Sequence, residues 1–264
     1  MRYVPESRNH MFLAHWVVGL LLGLVLSMFA SPIWPQQRDM SDMDGMPGMN
    51  HGDMTSVGHE YPVRTAPPSA DTQESEFNHH LAGLILFLAG LILLAEERLT
   101  HLWPPSRYLW PMCFLAAGLF VLVFSDAEIW PLGPETPWYA LSHSVEDLQH
   151  KSFAIILLGL GYVELERARG RFKEVWSALF FPIVGIAGAI LLLFHVHGGD
   201  MSAPNAMAAM EHIESQHRWF AAAGLGIAVT KGLAEIPQRW QIAFKRMWPA
   251  LLTVLGILLM AYTE

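Results

Sequence analysis

The sequence predicts an all-α membrane protein: a six-helix transmembrane bundle of three pseudo-repeated helical hairpins, with an N-terminal anchor helix in front, seven helices in all. Three observations carry this. The 264 residues are 53% hydrophobic and only 15% charged, against about 25% charged for an ordinary soluble domain. Several apolar runs approach the roughly 20 residues needed to span a bilayer. The last six of these runs share a pattern of histidine, acid, aromatic-proline pair and glycine that recurs three times. The net charge of −8 argues against a nucleic-acid partner and leaves the lipid bilayer as the expected surrounding. The single Cys113 lies in an apolar run, so the chain offers no disulfide framework and no thiolate metal cluster.

Residues 1–30 begin with a polar stretch containing Arg2 and Arg8, followed by a continuous apolar run over 11–30. The run reads as an uncleaved anchor helix. A signal peptide cut after Ala30 is the alternative, but the run is long for one and Met28 is a poor small residue for the cleavage signature. Residues 31–76 are rich in Pro, Asp, Ser, Gly and Met, a composition that does not build a packed core. They read as a disordered external segment. Met40, Met43, Met46 and Met49 recur every third residue, with His51 and Met54 close behind. Thioethers bind Cu(I) without deprotonating, which suits a metal-capture role.

Residues 77–264 form the bundle, with apolar segments over 79–96, 108–126, 151–167, 176–197, 217–235 and 248–263. Glu164 and Glu166 cut the third short. Arg98, Arg107, Arg167, Arg169, Arg171, Lys173, Lys231, Arg239, Lys245 and Arg246 fall at one set of connections, whereas 127–149 and 198–216 carry no Lys or Arg. By the positive-inside rule the first set and residue 1 are cytoplasmic, and the second set and the C-terminus are external.

In each hairpin the first helix opens on a histidine (His79-His80, His150, His217) and ends near an acid (Glu96, Glu166, Glu235). The second opens on Trp110-Pro111, Phe181-Pro182 or Trp248-Pro249, with the proline in a tolerated first turn and the aromatic in an interface belt. A glycine follows (Gly118, Gly188, Gly256), and fifteen residues after each proline stands Asp126, His197 or Glu264. Fifteen helical residues rise about 22 Å. These three groups are thus expected back at the external face, ringed with His80, His150 and His217.

The metal-ligand set is densest between 195 and 217, where His195, His197, Met201, Met207, Met210, Glu211, His212, Glu214 and His217 crowd together. His143 and His150, seven apart, would share a helix face. Imidazoles, thioethers and carboxylates in this mixture suit copper. Glu146, Asp147, Glu211 and Glu214 are available to orient them. Lys231 and Glu235, one turn apart, read as a snorkelling pair. There is no nucleophile elbow, phosphate loop, CxxCH haem-attachment signal or HExxH, so an enzyme would have to use the histidines.

The Met/His stretch over 40–54 resembles the copper-binding segments of periplasmic copper-resistance proteins. Over roughly residues 40–264 the plan resembles the copper-resistance protein D type of inner-membrane protein in architecture and residue type, though that family usually has more helices. The resemblance implies a bacterial inner-membrane protein that binds copper externally for storage, delivery or transport, with a periplasmic copper protein or a membrane oxidase as partner. Two other readings stand beside it. One is a haem b or copper-containing redox subunit, with Gly83, Gly90, Gly159, Gly161, Gly224 and Gly226 leaving room for a macrocycle. The other is an accessory subunit of a respiratory or oxidase complex.

Overall fold

The computed structural model describes residues 70–126, 128–195, 206–237 and 239–264. The anchor and the Met40–Met54 capture segment, with His51, lie outside the described residues, as do His197 and Met201. Eight α-helices are present among those described: α1 Ala70–Leu94, α2 Glu96–Leu102, α3 Leu109–Phe124, α4 Pro137–His143, α5 Val145–Ala168, α6 Val175–Leu193, α7 Ala206–Glu235 and α8 Gln241–Met260. A 3-10 turn, Pro104–Tyr108, leads into α3. Four stretches are long and apolar enough to cross a membrane: Thr72–Leu94, Pro104–Phe124, Val175–Leu193 and Gln241–Met260. The chain is an all-α, multi-pass membrane protein.

The six long helices pack in chain order as a closed ring. α1 lies against α3, α3 against α5, α5 against α6, α6 against α7, α7 against α8, and α8 returns to α1. Successive helices run in opposite directions, so the three hairpins α1/α3, α5/α6 and α7/α8 stand side by side.

The recurring glycines let neighbouring hairpins approach. A Cβ on Gly161 would meet Leu115 N at 2.8 Å and Pro111 O at 2.9 Å. One on Gly90 would meet Thr253 N at 2.7 Å and Pro249 O at 3.0 Å. The α3–α5 and α8–α1 contacts therefore repeat each other, with proline and its fourth successor on one side and glycine on the other. The third contact, α6–α7, varies the theme with Gly185 on Ala228 and Gly232 on Pro182. Small residues at such interfaces are the usual means by which membrane helices pack closely.

Several elements differ from the sequence expectation. α5 runs through Glu164 and Glu166, because both acids find cationic partners: Glu164 pairs with Arg167 at 2.8 Å, and Glu166 with Arg169 at 2.7 Å and Arg171 at 3.1 Å. α7 begins eleven residues before its apolar run, since hydropathy marks a lipid-exposed stretch and not a helix end. Only α3 opens near its proline; Pro182 and Pro249 lie inside α6 and α8.

The aromatics before the prolines do not form a surface belt. Trp110, Phe181 and Trp248 are buried and converge, with ring centroids 5.6 Å apart for Trp110–Trp248 and 5.8 Å for Phe181–Trp248. Phe114 bridges the other side, 6.0 Å from Trp110 and 5.7 Å from Phe181. Beside this plug lies a charged layer. The Lys231 ammonium, 5.1 Å from the Trp248 ring centre, contacts Glu235 at 2.5 Å and Glu164 at 3.7 Å. Arg167 joins the same two acids. Lys231 is only 7% exposed, so it is a member of an interior network and not a snorkelling side chain.

Candidate metal centre at the histidine end

At the opposite end of the ring from the charged layer, six side chains from all six long-helix segments meet. The first helix of each hairpin contributes a histidine: His79 from α1, His150 from α5, His217 from α7. The end of each second helix contributes Asp126 after α3, His195 after α6 and Tyr262 after α8. They form one connected series. His150 Nδ1 contacts Asp126 Oδ1 at 2.7 Å. The His150 and His195 ring centres are 5.1 Å apart, and so are those of His195 and His217. His217 lies 5.9 Å from His79, which stacks on Tyr262 at 3.9 Å. Tyr262 is fully buried and His217 is 4% exposed.

In all four imidazoles Nδ1 is the atom held by an oxygen. The partners are Ser75 O at 2.8 Å for His79, Asp126 Oδ1 at 2.7 Å for His150, Gln149 Oε1 at 2.7 Å for His195 and Ile213 O at 2.8 Å for His217. In each, Nδ1–H donates. For the neutral ring that puts the lone pair on Nε2, the tautomer a metal-binding histidine adopts when its other nitrogen is oriented by an acceptor.

A second triplet fixes the histidine helices to their hairpin partners. The residue before each histidine is an amide, and it donates to a carbonyl at the end of the second helix. Asn78 Nδ2 reaches Phe124 O at 2.9 Å, Gln149 Nε2 reaches Phe194 O at 2.8 Å, and Gln216 Nε2 reaches Thr263 O at 2.6 Å. Carbonyls at a helix C-terminus lack intrahelical donors, so each amide satisfies one while aligning its hairpin.

Asp126 is 5% exposed. Burial alone would raise its carboxyl, but the hydrogen bond and charge of His150, with Lys151 and Ser125, hold it below the usual carboxylate range. Lys151 Nζ is 2.7 Å from Asp126 Oδ2. The Tyr262 phenol is pushed above its ordinary range by burial and by its 2.7 Å hydrogen bond to Glu264 Oε1.

The sequence-based register is off by one residue in the first hairpin. The glycine contacts make His79, not His80, the counterpart of His150: Gly90 follows His79 by eleven residues, as Gly161 follows His150. His80 turns away and donates from Nε2 to Tyr262 O at 2.8 Å. His143 does not share a helix face with His150, because Ser144 caps a new helix between them, its Oγ accepting from Asp147 N at 3.2 Å. His143 is instead exposed and stacked on Tyr139. His212 is exposed, with Nε2 3.2 Å from Thr263 Oγ1. Met207 is 79% exposed and Met210 half-buried, both on the part of α7 that precedes the cluster. Glu264 accepts from Tyr262 and from Ser75, and stands behind the histidines. Sequence reasoning missed Tyr262, Gln149, Asn78 and Gln216; the amide-histidine step, repeated three times, was the available signal.

Among the described residues the acidic and imidazole ligand atoms that fall within 4.8 Å of one another as a group of three belong to Asp126, Glu128 and Asp147. That is a hard oxygen set of the type magnesium or calcium takes. The imidazoles are spaced more widely, with successive ring centres 5.1–5.9 Å apart. Of the six glycines considered for a macrocycle, Gly83, Gly90 and Gly161 would each set a Cβ within 3 Å of the facing helix, whereas Gly224 would meet only Ala189 Cβ, at 3.5 Å.

No known protein family, curated protein or solved structure matches the chain.

Proposed function

We propose that this chain is a copper-handling membrane protein that binds the metal at the histidine end of its helical ring, for storage, delivery or transport. One observation carries the reading: His79, His150, His195 and His217, contributed by separate helices, adjoin in one series with Nδ1 of each already held by oxygen. Four oriented imidazoles suit copper, zinc, nickel or iron. The methionines of the capture segment tilt the choice to copper.

In this reading all six long helices cross the membrane. α5 and α7 are less apolar because buried polar residues such as Gln149, Glu164, His217 and Lys231 face the histidines or the charged layer, while Glu211, His212 and Glu214 lie exposed on the outer part of α7. The charged layer, near Arg98, Arg107 and Arg169, is cytoplasmic by the positive-inside rule. The histidine end faces outward, in a bacterial inner membrane, where a periplasmic copper protein or a membrane oxidase is the exchange partner. The capture segment gathers Cu(I), the histidines hold it, and Asp126, Gln149 and two backbone carbonyls orient the rings.

Metal analysis and an optical spectrum on detergent-purified protein from copper-supplemented cells test this. At least one copper per chain is expected, without a Soret band. His150→Ala with His217→Ala should remove most of the copper that survives deletion of residues 38–60, whereas His101→Ala should not. Copper retained in the double variant, or a Soret band, overturns the reading.

A further inference from the structure

α7 is longer than the ring needs. It runs from Ala206 to Glu235, so roughly 15 Å of helix precede His217. On this projecting part Met207, Met210, Glu214 and His217 follow one another at spacings of three, four and three residues. At 100° per residue they occupy an arc of only about 80°. Exposure is highest at the outer end and lowest at the inner end: Met207 is 79% exposed, Met210 half-buried and His217 4% exposed. The Glu214 side chain is well exposed and held at 2.9 Å by Arg218. A methionine as exposed as Met207 contributes almost nothing to packing, and the rungs are separated by about 4.5–6 Å of rise.

We infer that this stripe is an entry ladder for monovalent copper. The ion is taken by the thioethers of Met207 and Met210, passes the Glu214 carboxylate and is exchanged onto His217 of the buried cluster. The inference rests on the proposed histidine site and adds its route and the oxidation state admitted. Thioethers are soft ligands that favour Cu(I) and discriminate against harder ions. Every step is a ligand exchange, with no change of oxidation state. Glu211 adds negative charge to the outer part of the path, which favours a cation, while Arg218 offsets the charge of Glu214.

The test is the rate at which the full-length protein loads from two donors: Cu(I) held by a chromogenic chelator, and aqueous Cu(II). The quantity followed is the copper that depends on His150 and His217, obtained by subtracting the His150→Ala/His217→Ala variant. Met207→Leu with Met210→Leu should slow Cu(I) loading at least fivefold, leaving the final amount and the Cu(II) rate within twofold. Ala208→Met added to that variant stands about 100° round the helix from position 207 and should not restore the rate. Unchanged Cu(I) loading, equal slowing of both ions, or rescue by Ala208→Met overturns the ladder while leaving the histidine site standing. If the histidine variant loses no copper, the underlying reading has failed instead.

Discussion

The equivalence of the α3–α5 and α8–α1 contacts makes a quantitative prediction about single methyl groups. Gly161→Ala and Gly90→Ala each drive a Cβ against backbone atoms of the facing helix, at 2.8 Å from Leu115 N and 2.7 Å from Thr253 N. Backbone atoms cannot swing aside. Ordinary contact begins at 3.4 Å, so the helices must part by about 0.6–0.7 Å. A gap of that order forfeits a quarter or more of the local dispersion attraction, and overpacking of this kind costs about 1–3 kcal/mol. Alanine returns roughly 0.5–1 kcal/mol through its better helix propensity. Each variant should thus lose about 1–2 kcal/mol. Gly188→Ala is the control, because its Cβ would meet only Ile156 side-chain atoms at 3.6 and 3.7 Å; it should be neutral or gain up to about 1 kcal/mol. Equilibrium unfolding in mild detergent, followed by far-ultraviolet circular dichroism, measures all three. If Gly188→Ala is as damaging as the other two, or if Gly90→Ala and Gly161→Ala differ by more than they differ from wild type, the repeat does not describe the packing.

Lys231→Met leaves Glu164 and Glu235 with Arg167 as their remaining close cation, and should destabilise by about 3 kcal/mol. Arg171→Met removes an exposed guanidinium and leaves buried Glu166 its Arg169 partner, and should cost under about 1 kcal/mol in the same unfolding assay. Asp126 has a lowered carboxyl pKa in the fold. Its contribution is therefore fully present above the ordinary carboxylate range and is lost as pH falls through the folded value. Asp126→Asn should flatten the acid limb of a stability-against-pH curve, and an unaltered limb would show that His150 and Lys151 do not stabilise it. The Tyr262 phenol, raised by burial and Glu264, should stay neutral in an alkaline titration at 295 nm beyond the ordinary tyrosine range near pH 10. Tyr262→Phe should remove the last phenol to titrate.

Much of the hairpin plan was legible because bilayer thickness imposes segment length and proline, glycine and histidine mark recurring places. What escaped depended on which way a side chain turns. His79 and His80 are adjacent and chemically identical, and only the packing of Gly90 on Pro249 selects His79 for the cluster. Trp110 and Trp248 look like belt residues in a sequence, since an aromatic at a segment end serves either role; the third aromatic, Phe181, carries no polar atom and hints at the interior. Glu164 reads as a helix breaker in an apolar run until Arg167 and Lys231 are seen beside it. His195 lies two residues from His197 in the sequence, but its partner is Gln149, a contact across 46 residues that no local pattern encodes.

The closure of the ring by α8 against α1 has a bearing on how the protein is made. Helices emerge from synthesis in order, and α3, α5, α6 and α7 each find a neighbour already in place. α1 has to wait. Its Gly83 and Gly90 face, built to receive Gly256 and Thr253, stays bare until nearly the whole chain is in the bilayer. So does the hydrogen bond from Glu264 N to Glu76, whose partners are 188 residues apart. A bare small-residue groove accepts the α8 of any copy that reaches it first, including one from a neighbouring ribosome. Slowing translation between α7 and α8 should thus increase the yield of domain-swapped dimers, in which two chains complete each other's rings.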